Sequence, residues 1–235
     1  EAKDALKPRL SSFKAPASSS GLPIFSESGI KDLPALTCLD GTDESKSSLS
    51  VYTAPSETGF AAAAFASSPF GTKESVYETL FAHWFTNNVL WEKIRTIGGA
   101  YGAFAYSDAL ECVFSFATYR DPDPLRSLDT YIDCLHKAAR ADLPKTVLER
   151  AITGCYSKEV QPRSPSSRGF TGFIRALYGI RDEQREEKIE TLLSAREKDV
   201  RNAAVFLSER AQTVKRALIC GNYTGQDGIV IPLPL

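Results

Sequence analysis

The sequence predicts an α+β fold, an antiparallel sheet covered by helices that lie largely on one side of it. Three observations carry that prediction. Two strand-like runs open the patterned region at Leu49, a hairpin pattern between Ala100 and Tyr119 follows one long helix, and helix signals then dominate to Arg210 before a last apolar strand. Apolar faces of this kind are buried by layering helices on a sheet, which is the α+β architecture.

Residues 1–48 are rich in Ser, Pro and Lys and lack sustained periodicity, so they read as a linker or wrapping arm. From Leu49 the pattern changes. Leu49 to Thr53 alternates as a half-buried strand, and Gly59 to Ala66 is an Ala/Phe run suited to a buried one, with Pro55 and Gly59 bracketing the turn. Thr72 is a helix N-cap candidate. The stretch to Lys93 sets Val76, Leu80, Ala82, Trp84, Val89 and Trp91 near helical spacing, with Glu74 and Glu78 early and Lys93 and Arg95 late, as the helix dipole favours. Gly98-Gly99 turns the chain into a strand from Ala100 to Tyr106. Asp108 ends it, and Glu111 to Tyr119 returns antiparallel, with Cys112 inside this apolar strand.

Arg120-Asp121-Pro122-Asp123-Pro124 offers two acidic caps, each followed by proline at a first-turn position. Asp121 is expected to cap the following helix, which buries Leu125, Leu128, Ile132 and Leu135, while Arg120 pairs with a nearby carboxylate. Helices are then predicted over 144–159, 165–178, 182–195 and 197–210, the second with Ser164 as cap and Pro165 at its first position. The mixed-sign run from Arg181 to Lys188 reads as a solvated helix face. Val214 to Cys220 is a short apolar strand ended by Gly221-Asn222.

Composition bounds the function. A net charge of -1 over 235 residues gives no electrostatic reason to expect nucleic acid, and no apolar stretch approaches the roughly 20 residues that span a bilayer. Neither nucleic acid nor membrane is therefore an expected partner. The start, Glu1 to Leu10, has no hydrophobic core of a signal peptide and no initiating methionine, so the chain reads as a piece of something longer. Five scattered cysteines, Cys38, Cys112, Cys134, Cys155 and Cys220, form no C-x-x-C pair. They argue against a zinc ribbon or redox motif and for a reducing, intracellular compartment.

The most informative stretch is Trp91-Glu92-Lys93-Ile94-Arg95-Thr96-Ile97-Gly98-Gly99-Ala100-Tyr101-Gly102, followed by Tyr119-Arg120-Asp121-Pro122. Two glycines let the backbone reverse sharply between a basic helix end and a tyrosine strand, so that Arg95 and Tyr101 face one cavity. On composition alone, Arg95 reads as a dipole-compensating cation and Tyr101 as a half-buried strand aromatic, and only the whole motif favours a site. A phosphate loop is excluded, because the glycines precede a strand and no lysine-bearing helix follows them.

This pair of motifs resembles the last domain of the pitrilysin-type (M16) zinc metallopeptidases, in the presequence-protease and falcilysin branch. The resemblance covers roughly residues 49 to 221. It implies a domain over 49–235 of the LuxS and mitochondrial-processing-peptidase-like metallohydrolase type, the non-zinc C-terminal part of a peptidase that closes around unfolded oligopeptides. It further implies that Arg95 holds the peptide carbonyl side, that the Tyr101 hydroxyl stabilises the oxyanion, and that Gly98 and Gly99 join them in substrate binding. The partners so implied are the N-terminal catalytic half of the same protein and peptide substrates. Relatives of this kind occupy the bacterial cytoplasm or an organelle matrix.

Zinc is implied for the full-length parent, with none bound by this fragment. An inverted zinc motif, His-x-x-Glu-His, needs two imidazoles on one helical face with a carboxylate between them. The chain has only His83 and His136, and neither has that neighbourhood. By itself the fragment is expected not to hydrolyse peptides. A non-catalytic structural or peptide-binding subunit of the same fold, and an unrelated α+β interaction domain, stand as alternatives.

Overall fold

The computed structural model describes residues 49–223, 225 and 228–233. The predicted arm and Cys38 lie outside them. The elements are β1 (Leu49–Thr53), β2 (Phe60–Ala66), α1 (Lys73–Trp84), a π-helical continuation (Phe85–Thr96), β3 (Gly102–Asp108) and β4 (Val113–Tyr119). There follow α2 (Pro124–Ala138), α3 (Lys145–Val160), α4 (Pro165–Leu177), α5 (Asp182–Ser194), α6 (Glu197–Arg210), β5 (Lys215–Cys220) and β6 (Ile229–Pro232).

Local chemistry sets most boundaries. The Thr72 hydroxyl accepts from Ser75 N and opens α1, and Ser164 accepts from Ser167 N ahead of Pro165 at α4. At α2 the cap is Asp123, which accepts from Arg126 N with Pro124 behind it, not Asp121. Asp121 is buried and bridges instead to Gly59 through two backbone hydrogen bonds, while its Oδ1 accepts from Asp123 N. Arg120 takes a left-handed φ of 47° and lies over the Tyr119 ring, where the sequence suggested an ion pair. Cys112 sits in the β3–β4 turn, also at positive φ, and not within the strand.

The six strands run in the order β3-β4-β2-β5-β1-β6. Pairings β3–β4, β4–β2 and β2–β5 are antiparallel as expected, but β1 lies parallel to both β5 and β6. Parallel neighbours need a long crossover, and here β5 reaches β1 only after every helix has been laid down. The sequence reading missed β6. Its signal, an Ile-Val-Ile run ending in proline, suits an edge strand, where a missing N–H costs no ladder bond.

Alternation sends Ala61, Ala63, Phe65, Phe114, Phe116 and Leu218 to one face, where all are buried. Against this face lie α1, its π-helical continuation and α2, with α3, α5 and α6 packed outside α1. The core is strongly aromatic. Tyr131 stacks on Phe116 at 4.7 Å and donates its hydroxyl to the Ala117 carbonyl at 2.7 Å, and Phe65, Phe81, Phe85 and Phe114 complete the cluster. Among the described residues, no helix packs on the opposite face of the sheet. Phe60, Phe104, Tyr106 and Tyr119 project there, with Ala62, Ala64, Ala66, Ala117, Ala217 and Ile219 between them.

Candidate functional site

The predicted site is assembled by an unusual helix end. From Phe85 the chain widens into a π-helix, whose bonds reach back five residues, as in Ile97 N to Glu92 O at 3.0 Å. The wider turn buries Phe85, Leu90 and Ile94 and rotates Trp91 outward to half exposure, against the buried position that a simple α-period gives it. Arg95, four residues on, then stacks on the Trp91 indole with its guanidinium carbon 3.7 Å from a ring centroid.

Gly98 and Gly99 each answer a backbone demand. A Cβ on Gly98 would stand 2.5 Å from the Ile94 carbonyl oxygen, and Gly99 adopts φ +84°. The turn is tied by Gly99 N to Arg95 O at 3.0 Å and Ala100 N to Ile94 O at 3.2 Å. It delivers Tyr101 beside Arg95, whose Nε donates to the Tyr101 carbonyl at 2.9 Å. The guanidinium is thus held from two sides, by an indole face and a carbonyl, with its terminal nitrogens left over.

The second motif closes the same corner. Tyr101 N donates to Arg120 O at 3.2 Å, Gly102 pairs with Tyr119 across the hairpin, and Pro122 packs beside Gly99. Tyr101 and Tyr119 meet edge to face at 5.7 Å, and Tyr119 meets Phe60 in the same way. Tyr119-Arg120-Asp121-Pro122 therefore buttresses Tyr101. Tyr101 is 65% exposed, its hydroxyl bonds to no described residue, and it stands at the margin of the uncovered sheet face.

A protein zinc site takes three or four His, Cys, Asp or Glu ligands. Among the described residues no three of these are grouped to hold a metal. His83 lies on α1 against Gly154 of α3, where burial first and the Lys158 charge second hold its imidazole below the usual range. His136 meets the Ser208 hydroxyl at 2.6 Å. Three of the thiols are unsuited to nucleophilic work, since burial raises Cys134 and Cys220 and pushes Cys155 up to about 11. Among the described residues no helix is long and apolar enough to cross a membrane.

Sequence reasoning did not find the aromatic run beyond the corner. Phe104 and Tyr106 stack at 5.9 Å along β3 toward its far end. Their i, i+2 spacing on a strand was the available signal. Which face the helices would leave open was not written locally.

Comparison with known proteins follows the same lines. A family model described as the PreP C-terminal domain matches residues 70–220. Presequence protease 1, chloroplastic/mitochondrial, of Arabidopsis thaliana is 34% identical over 119 residues, 51% of this chain and 11% of that protein. The mitochondrial presequence protease of Saccharomyces cerevisiae is 30% identical over 151 residues, 64% of this chain and 15% of that protein. The chain thus spans only a small share of these relatives' length. Among solved structures, a protease from Helicobacter pylori superposes with a TM-score of 0.61 at 14% identity, over 73% of this chain and 43% of that one. A peptidase M16 inactive domain from Pseudomonas fluorescens gives 0.61 at 11% identity, over 77% and 45%. These two likenesses establish the fold.

Proposed function

The chain belongs to the family of presequence-protease C-terminal domains, and on that premise we propose that it is the non-zinc C-terminal part of a zinc metalloendopeptidase that degrades oligopeptides and unfolded peptides in a closed chamber. The zinc and its His-x-x-Glu-His set reside, on this reading, in the N-terminal half of the same protein, which is also this chain's partner. The compartment is an organelle matrix or the bacterial cytoplasm, in keeping with the mitochondrial and chloroplastic names of the relatives.

The observation that carries the proposal is the fixed Arg95–Tyr101 corner at the margin of an aromatic stretch of sheet that no described helix covers. A guanidinium pinned between Trp91 and a carbonyl is preorganised to donate from its terminal nitrogens to a peptide carbonyl. An exposed phenol on a rigid turn is suited to donate to an oxygen that gains charge as that carbonyl becomes tetrahedral. Gly98 and Gly99 contribute by letting the two groups stand this close and leaving room for a peptide backbone. The uncovered face, with Phe60, Phe104, Tyr106 and Tyr119, supplies an apolar wall for an unfolded chain.

The test is peptide hydrolysis by the zinc-loaded full-length parent. Tyr101→Phe should lower turnover roughly 100- to 1000-fold, the loss that follows removal of one oxyanion donor. Arg95→Ala should raise KM as well as lower kcat. Unchanged turnover in both variants would reduce the corner to a chamber wall, and an inactive parent would favour a non-catalytic peptide-holding subunit.

A further inference from the structure

Beyond the far end of β3, about 20 Å along the strand from the corner, α4 stands away from the sheet and leaves a cleft of about 710 Å³. None of its residues is buried, although it is amphipathic. The cleft has two chemistries. Phe70, Leu110, Phe170, Ile174 and Ile189 make an apolar lining, and Arg163, Arg175, Arg185 and Lys188 bring four cations to it against the carboxylates of Asp108 and Glu159.

Those carboxylates already have partners. Asp108 Oδ1 accepts from the backbone N–H groups of Leu110 and Glu111, and Glu159 is paired with Lys188. Arg185 is paired with Asp182 at 2.5 Å. Arg163 donates Nη1 to the Thr171 hydroxyl at 2.7 Å, and among the described residues it has no ion pair, while the Arg175 guanidinium has neither a hydrogen bond nor an ion pair there. Burial and then the charges of Arg185 and Arg163 oppose protonation of Arg175, so the cluster repels itself. Ser107 also lines the cleft, and its buried hydroxyl has no partner among the described residues. An apolar cleft of this volume with a few convergent donors has the make-up of a small-ligand site.

We infer that this cleft binds a carboxylate carried on an apolar body, with Arg163, Arg175 and the Ser107 hydroxyl holding the anion and the Phe170–Ile174 side of α4 covering the apolar part. Two sources share that chemistry, the C-terminus of a short apolar peptide and a free medium-chain acid. Guanidinium is the fitting donor because its planar fork matches a carboxylate. The site is independent of the Arg95–Tyr101 corner and stands or falls separately from it.

The experiment is isothermal titration of the whole 235-residue chain with N-acetyl-Ala-Leu-Phe as the free acid and as its C-terminal amide, and with decanoate and decanamide. One acid should bind roughly tenfold or more tightly than its own amide, as expected for charge-assisted hydrogen bonds. Which acid it is identifies the source. That advantage should vanish in Arg163→Gln/Arg175→Gln and shrink in Ser107→Ala. If neither acid binds the wild-type chain, or each binds no better than its amide, the inference is overturned, and that comparison needs no variant to fold. An advantage that persists undiminished in the folded double variant would overturn it equally.

Discussion

The two ends of β3 are built in opposite ways. At Gly102 the strand leaves a corner where nearly every group has a partner: an indole under Arg95, a carbonyl on its Nε, backbone bonds from Ala100 and Tyr101, and three edge-to-face or cation contacts around Tyr119. At Asp108 the strand runs into a space where α4 buries nothing and where, among the described residues, two guanidinium groups have no paired carboxylate and a serine hydroxyl no partner. Over-determination fixes a side chain to the accuracy that catalysis or recognition of one geometry needs. A loose, charged, apolar cleft instead leaves room and unspent interactions for a ligand.

Unfolding experiments should expose the contrast most strongly in the core that anchors the corner. Phe116 is fully buried and in ring contact with Phe65, Phe85, Phe114 and Tyr131, so Phe116→Ala should cost about 3–5 kcal/mol in denaturant titration. A loss near that of a surface change would mean that the aromatic layer is not the anchor. The corner itself comes next. Gly99→Ala forces a side chain into the left-handed region at a cost of about 1–2 kcal/mol, and Gly98→Ala drives a methyl onto the Ile94 carbonyl and should cost at least as much. Equal stability of either variant with wild type would show that the turn relaxes and does not hold Tyr101.

A pH experiment sharpens the comparison on the rigid side. Glu78, fully buried on α1, accepts from Ser68 N at 3.1 Å and from the Ser68 hydroxyl at 2.7 Å. Burial raises its carboxyl above the usual value more than those bonds and the Arg210 charge lower it. A carboxyl so raised favours the folded state fully below its unfolded value of about 4.5, and that contribution is lost as pH climbs through the higher folded value. Glu78→Gln keeps an acceptor for Ser68, so it should gain stability relative to wild type as pH rises from about 4.5 toward neutrality. A flat difference across that range would deny the burial argument. The smallest effect is expected at the loose end. Phe170 is 68% exposed, and Phe170→Ala should change stability by no more than about 0.5 kcal/mol. A cost of several kcal/mol would mean that α4 packs where the structure leaves it open.

Much of the molecule was written locally. Thr72, Ser164 with Pro165, and Asp123 with Pro124 announce helix starts because a short polar side chain satisfies the first free N–H groups and proline forfeits none that matters. Gly98-Gly99 announces the corner, since only glycine meets one carbonyl so closely and then accepts a positive φ. The hairpin β3–β4 and the strands β1, β2 and β5 were legible from alternation, and both motif segments were legible as a pair. Asp121 misled because an acid before proline looks the same whether it caps a helix or bridges to Gly59 in a distant loop.

The amino-acid sequence by itself thus determined the element order from β1 to β5, the α+β class, the family and the identity of the corner residues, because caps, turns and side-chain period act over a few neighbours. Tertiary structure alone decided that β1 would lie parallel between β5 and β6, that α1 would widen into a π-helix to turn Trp91 under Arg95, and which sheet face the described helices would leave open. It also brought Arg163, Arg175 and Ser107 around one cleft from three separate elements or loops. Each of these depends on contacts between residues tens of positions apart, whose energies enter only when the layers have already met.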